Sequence, residues 1–135
     1  MLFPPVAWGG AERTVRGVTE SIVPILCVAD GEATAAWYRR LGFVVDGVHR
    51  FAPGMPRHML LRRNDVWLHL SEHLGDARPD TLVCLYVDDV DAIAQEFDVV
   101  VRTQPWAREI ELTDPDRNRL RIDTPRAPSA HPRHR

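Results

Sequence analysis

No apolar run in the sequence approaches the ~18 to 20 residues that a membrane-spanning helix requires. The opening "MLFPPVAWGG" also lacks the basic start and long apolar middle of a signal peptide, so a cytoplasmic protein is the expectation. Lysine is absent: all 17 residues counted as Lys or Arg are Arg, a bias of composition rather than of function. A strong excess of either charge is missing too. With a net charge of -2 and a pI near 6.3 the chain carries no electrostatic footprint for nucleic acid or an anionic membrane. Cysteine is scarce, and Cys27 and Cys84 both sit in apolar, strand-like runs. That placement suits small buried hydrophobes and argues against a disulfide framework or a metal knuckle.

What is present fits one domain. A chain of 135 residues, 44% of them hydrophobic, can bury a real core or fuse two small modules edge to edge. Residues 1–19 mix Pro, Gly and charge without periodicity and read as a flexible extension, followed by a domain over 20–124 and a flexible tail over 125–135. The histidines of that tail could at most bind metal loosely.

Inside those limits the pattern is regular. "SIVPILCVAD" reads as a buried strand ending at Asp30, which can cap a helix over Gly31 to Leu41, where Ala33, Ala36, Trp37 and Leu41 follow helical spacing and Gly42 closes the end. "FVVDGV", "RHMLL" and "VWLHLS" read as three further strands, separated by the loop "FAPGMP" and the turn "RRND". After "LGDARPD" the order starts again. "TLVCLYVDD" is strand and Asp cap, "VDAIAQEF" helix, and "DVVVRT", "AREIELTD" and "RLRID" strands, with "PDRN" as the last turn. Overlaying the halves pairs Val28 with Val87, Asp30 with Asp89, Ala33 with Ala92 and Tyr38 with Phe97. The expected fold is therefore α+β, a tandem βαβββ repeat of about 55 residues per unit, because a repeated supersecondary unit stacks to bury one core.

One short motif invites a metal. His69, Glu72 and His73 spell His-x-x-Glu-His, a pattern that chelates zinc when its histidines share one face of a helix. Here the flanking residues alternate, with Val66, Leu68 and Leu70 on one face and Trp67, His69 and Ser71 on the other. In a strand, positions 69 and 73 stand about 13 Å apart at ~3.3 Å per residue, too far for one ion. Glu72 and His73 then read as a solvated strand end. Trp67, His69 and Ser71 form a mixed aromatic and polar face suited to a ligand.

"WYRRLGF" at 37–43, "YVDDVDA" at 86–92 and "QPWAREIELTDPDRNRLRI" at 104–122 carry a resemblance to the vicinal-oxygen-chelate superfamily, specifically its bleomycin resistance proteins, over residues 21–123. The resemblance implies a homodimer in which two crevices at the interface each accept a drug molecule. Pro24 stands where such proteins exchange an N-terminal strand, or it simply marks a strand edge. Metal-dependent members place ligands on the first and last strands of each repeat, here at Val23, His69, Leu82 and Arg121, and three of these four cannot ligate at neutral pH.

The expectation is thus a metal-free cup without a cofactor. Its wall would take Trp67, His69 and Ser71 from the fourth strand and Leu82, Cys84 and Tyr86 from the fifth. Glu109, Glu111, Arg119 and Arg121 would come from the last two, and Phe51 and Trp106 from loops. The implied function is binding: a cytoplasmic protein that sequesters a bleomycin-like antibiotic, with the Trp106 indole suited to stack on flat heteroaromatic rings. Two rival readings use the same cup. One is a metal-dependent lyase or dioxygenase that recruits His69; the other is a metal-free enzyme or sensor in which Arg121 anchors a carboxylate.

Overall fold

The computed structural model describes residues 20–127. The first half runs β1 (Ile25–Cys27), α1 (Gly31–Arg40), β2 (Val44–His49), β3 (His58–Arg63) and β4 (Val66–Ser71). The second runs β5 (Leu82–Tyr86), α2 (Val90–Phe97), β6 (Arg102–Thr103), β7 (Ala107–Thr113) and β8 (Arg119–Pro125). Each half forms a four-stranded sheet, ordered β1-β4-β3-β2 and β5-β8-β7-β6. In both, the first strand pairs in parallel with the last and the remaining neighbours are antiparallel. This is the expected βαβββ repeat. No helix among the described residues is long and apolar enough to cross a membrane.

Local chemistry explains where the helices start and stop. The Asp30 carboxylate accepts from the backbone N–H groups of Glu32 and Ala33, and the Asp89 carboxylate accepts from that of Ala92. Arg39 and Arg40 occupy the last turn of α1, where a helix end favours cations. Gly42 then adopts φ +94°, a left-handed conformation that glycine takes without strain.

The buried face of α1 is Gly31, Thr34, Ala35 and Tyr38; Ala33 and Ala36 are exposed. Of the expected stripe Leu41 is buried and Trp37 packs against the core, while the inward face turns toward Tyr38, which is fully buried and donates its hydroxyl to Asp114 of the second half at 2.8 Å. Burial, then the Asp114 charge, raises the Tyr38 pKa, so the phenol stays a donor.

The turn 114–118 fastens the two halves. Asn118, fully buried, donates from Nδ2 to the Cys27 carbonyl at 3.1 Å and accepts the Thr81 N–H at 3.2 Å. Asp116 accepts from the Ala29 N–H at 2.9 Å and from the Thr34 hydroxyl. A single core, including Leu26, Leu61, Leu70, Val90, Leu120 and Ile122, lies under these contacts.

Strand lengths differ from expectation at three places. β1 spans only Ile25–Cys27, although the Pro24 carbonyl still accepts from His69 N–H at 3.0 Å. In "DVVVRT" only Arg102 and Thr103 join the sheet, because Asp98 sits at φ 54° as the left-handed cap of α2 and Val99 and Val100 are exposed. At the other end β8 reaches Pro125, which pairs with Ala107, and the Arg126 N–H bonds the Trp106 carbonyl at 3.0 Å. β8 and its backbone bonds therefore run past residue 124. The extension over 1–19 and the tail from 128 onward lie outside the described residues.

Candidate ligand-binding site

Strand parity divides each sheet into a helix-covered face and an open one. On the second sheet Leu85, Ile110, Leu112, Leu120 and Ile122 pack into the core, leaving residues of opposite parity on the open face. These line a cup of about 450 Å³ bounded by Leu82, Cys84, Trp106, Glu109, Glu111 and Arg121, together with Arg102 and Asp123. Six of the twelve expected wall residues, Leu82, Cys84, Trp106, Glu109, Glu111 and Arg121, are thus brought together. Tyr86 lies beside them on β5, opposite Asp123 and largely exposed, without lining the cavity.

The first half holds Trp67, His69 and Ser71 on the face of β4 turned away from the core, and Phe51 on the loop after β2. His69 shares a 2.9 Å hydrogen bond, Nδ1 to Nε2, with His58 of β3, and the two rings meet edge to face. Burial, and secondarily the neighbouring His58, lowers the His69 pKa to about 4, so this imidazole is neutral at physiological pH. Trp67 lies under the Arg62 guanidinium at 5.9 Å and borders a second, more apolar cavity of about 290 Å³ at the seam between the halves, which Cys84 also lines. Ser71 is 1% exposed and donates to Asp76 at 2.7 Å, a structural role rather than an open contact. Phe51 is exposed with its ring edge against His49. His69, Ser71 and Phe51 border neither cavity.

Within the larger cup the charges are interlocked. Arg121 reaches Glu111 at 3.6 Å and Glu109 at 3.9 Å, Arg119 reaches Glu111 at 3.3 Å, and Arg102 stands 3.7 Å from Glu109. Glu109 and Asp123 face each other directly across β7 and β8, both under 10% exposed. Burial, a hydrogen bond with Glu109 and its charge push the Asp123 carboxyl up to about 6, only partly offset by Arg121. Cys84 is exposed on the open face rather than buried as expected, and it is no activated nucleophile, because partial desolvation, then the Asp123 charge, raises its thiol pKa.

Sequence reasoning missed Arg102 and Asp123 in this cup. For Asp123 the signal was available, since Arg119, Arg121 and Asp123 alternate along one strand. Glu72 is a correction of another kind. It is no solvated strand end, because its side chain is 13% exposed, accepts the Gly31 N–H at 2.6 Å and the Arg57 N–H at 2.9 Å, and pairs with the Arg57 guanidinium at 2.7 Å. Burial works against ionisation here, but the Arg57 side chain and these backbone donors prevail and hold the carboxyl at about 2.

The matches of family and fold now bear on this geometry. A family model described as glyoxalase superfamily protein matches residues 11–126. The chain belongs to the glyoxalase superfamily. No curated protein matches it closely enough in sequence to count as a relative. Among solved structures, a bleomycin-binding protein complexed with bleomycin is similar at 27% identity, covering 78% of this chain and 98% of its own, with a TM-score of 0.60. A bleomycin resistance determinant encoded on the transposon Tn5 is similar to the same extent, at 27% identity and a TM-score of 0.61. TnmS3, an antibiotic binding protein from Streptomyces sp. CB03234, shares the fold at 22% identity, covering 81% of this chain and 98% of its own, with a TM-score of 0.68. The bleomycin-resistance type of glyoxalase-superfamily fold expected from the sequence is therefore the one observed.

Glyoxalase-superfamily metal enzymes supply the obvious comparison, and the donor set here does not fit them. The register sets Ile25 opposite His69 and Cys84 opposite Arg121, two residues beyond the expected Val23 and Leu82. In the expected register Val23, Leu82 and Arg121 leave His69 as the one donor, and in the observed register Ile25 and Arg121 leave two, His69 and Cys84. A divalent site needs at least three protein donors. Among the described residues no three His, Cys, Asp or Glu side chains are arranged to hold a metal ion.

Proposed function

We propose that the protein is a cytoplasmic antibiotic-binding resistance protein. It sequesters a bleomycin-like drug without making or breaking a bond, in crevices completed at the interface of a homodimer. The observation that carries this reading is the cup itself: an indole, Trp106, stands beside three carboxyl groups, Glu109, Glu111 and Asp123. An aromatic face beside acid suits a ligand that joins a flat heteroaromatic ring to a cationic group. The similarity to the bleomycin-bound structure supports the same ligand class.

The partner copy would bring a second wall. The open face of the first sheet, with Trp67, His69 and Phe51, is suited to close over the second-sheet cup of the other protomer, and Pro24 would mark the strand exchanged between them. The sensor reading is weaker, because Arg121, its carboxylate anchor, is already engaged by Glu109 and Glu111.

Titration calorimetry with metal-free and copper-loaded bleomycin, paired with a DNA-cleavage assay, tests the proposal. Saturable heat at one drug per protomer and protection of DNA are expected. No heat and no protection remove the drug while leaving the fold untouched.

A further inference from the structure

The floor of the cup holds two acids that face each other. Glu109 is 7% exposed and Asp123 5%, and they are direct cross-strand partners in the β7–β8 register. Two carboxylates this close in a poorly hydrated place do not both ionise readily, and one proton held between them is the usual solution. The surroundings compensate them incompletely. Arg102 of β6 and Arg121 of β8 stand 3.7 and 3.9 Å from Glu109, beyond the ~3.2 Å reach of a good hydrogen bond. Gln104 donates to Glu109 only at 3.5 Å. Asp123 lines the cup, yet its Oδ1 is buried with no hydrogen-bond partner among the described residues.

We propose that Glu109 and Asp123 form a proton-for-cation exchange site. In the empty cup at mildly acidic pH the pair holds one proton; when a protonated amine or amidine of a ligand settles against it, that proton leaves to solvent and both carboxylates pair with the ligand cation. The charges balance. A pair of charge -1 and a cation of +1 become a doubly ionised pair carrying the same cation, plus one proton in water.

The remaining groups around the pair are consistent with such a subsite. From β5 it is faced by Cys84 and by Tyr86, which stands opposite Asp123, and from its own strands by Glu111 and Arg121. Helix α2 contributes no charge, since Ile93 packs into the core on the opposite face and Asp91 pairs with Arg108 there. The raised Asp123 pKa, with burial as its leading cause, agrees with a proton retained in the empty cup. Asp123 Oδ1 is the acceptor that a ligand N–H would satisfy. The proposal rests on reading the cup as the ligand site, and it requires a cationic nitrogen rather than any particular drug.

Linked protons make the test direct. Calorimetry from pH 5 to 8, in buffers of different ionisation enthalpy, is run with metal-free bleomycin and with agmatine, whose own groups stay charged across that range. About one proton should be released per cation bound at pH 5 and almost none at pH 8. Affinity should rise by up to about tenfold per pH unit below the titration of the pair. Asp123→Asn should abolish the release and flatten the pH profile, with Glu109→Gln as a second variant and circular dichroism to confirm folding.

Agmatine bound with proton release while bleomycin stays inert would sustain the exchange site and end the drug assignment. Bleomycin bound with the same proton count in wild type and Asp123→Asn would overturn the exchange site and keep the drug. Failure of both cations to bind at any pH would overturn the exchange site too, and carboxyl carbon-13 spectra showing two independent, ordinary titrations would do so without any ligand.

Discussion

Replacing Glu72 with alanine is expected to lower the unfolding free energy by about 3 kcal/mol. The carboxylate ties three elements at once. It accepts the first N–H of α1 from Gly31 and the backbone N–H of Arg57 just before β3, and it leaves the end of β4 to pair with the Arg57 guanidinium. Without it, Arg57, 20% exposed, keeps Asp30 at 3.3 Å as its one ion pair among the described residues, and two backbone donors lose their acceptor. The effect also has a pH signature. A carboxyl depressed to about 2 stabilises the fold fully above the ordinary value of 4.5, and that contribution is lost as pH falls through 2. Urea unfolding of both proteins at pH 7 and near pH 2 checks this. The difference should be large at the first and nearly gone at the second; a loss under 1 kcal/mol at pH 7 would show that the network is dispensable.

Replacing Trp106 with alanine should leave stability nearly unchanged and weaken drug binding by about 30-fold or more. The indole is 43% exposed and stands on the loop before β7, so its removal opens no core cavity. A buried aromatic anchor at the centre of an interface is worth ~2 kcal/mol or more, which is the stated factor. Calorimetry with bleomycin and a thermal melt measure the two halves of the prediction. A change under threefold, with the drug still bound, would move the stacking platform away from Trp106.

How far the sequence reveals this protein depends on the range of the interaction. Helix caps are local, and Asp30, Asp89 and Gly42 act where their spacing places them. The internal repeat is also legible, since the overlay that pairs Asp30 with Asp89 equally pairs Ile25 with Cys84, the residues the register sets opposite His69 and Arg121. Parity found most of the second-sheet wall for the same reason. What escaped depends on contacts between elements. Nothing near Glu72 announces Arg57, fifteen residues earlier, as its partner. Nor does the alternation of "VWLHLS" reveal that His69 faces a second histidine, His58, on the next strand, or that Ser71 is closed off by Asp76. The inward turn of Tyr38 likewise depends on Asp114, seventy-six residues away.

The central claim is that the cup on the second sheet is where a cationic, ring-bearing drug is held. A crystal structure of the protein grown with metal-free bleomycin measures this most directly. The account predicts a dimer with drug density in each crevice, a heteroaromatic ring stacked on Trp106 and a cationic nitrogen within hydrogen-bond distance of Asp123. Drug density placed elsewhere, or crystals grown at saturating drug whose cups hold none, would contradict it.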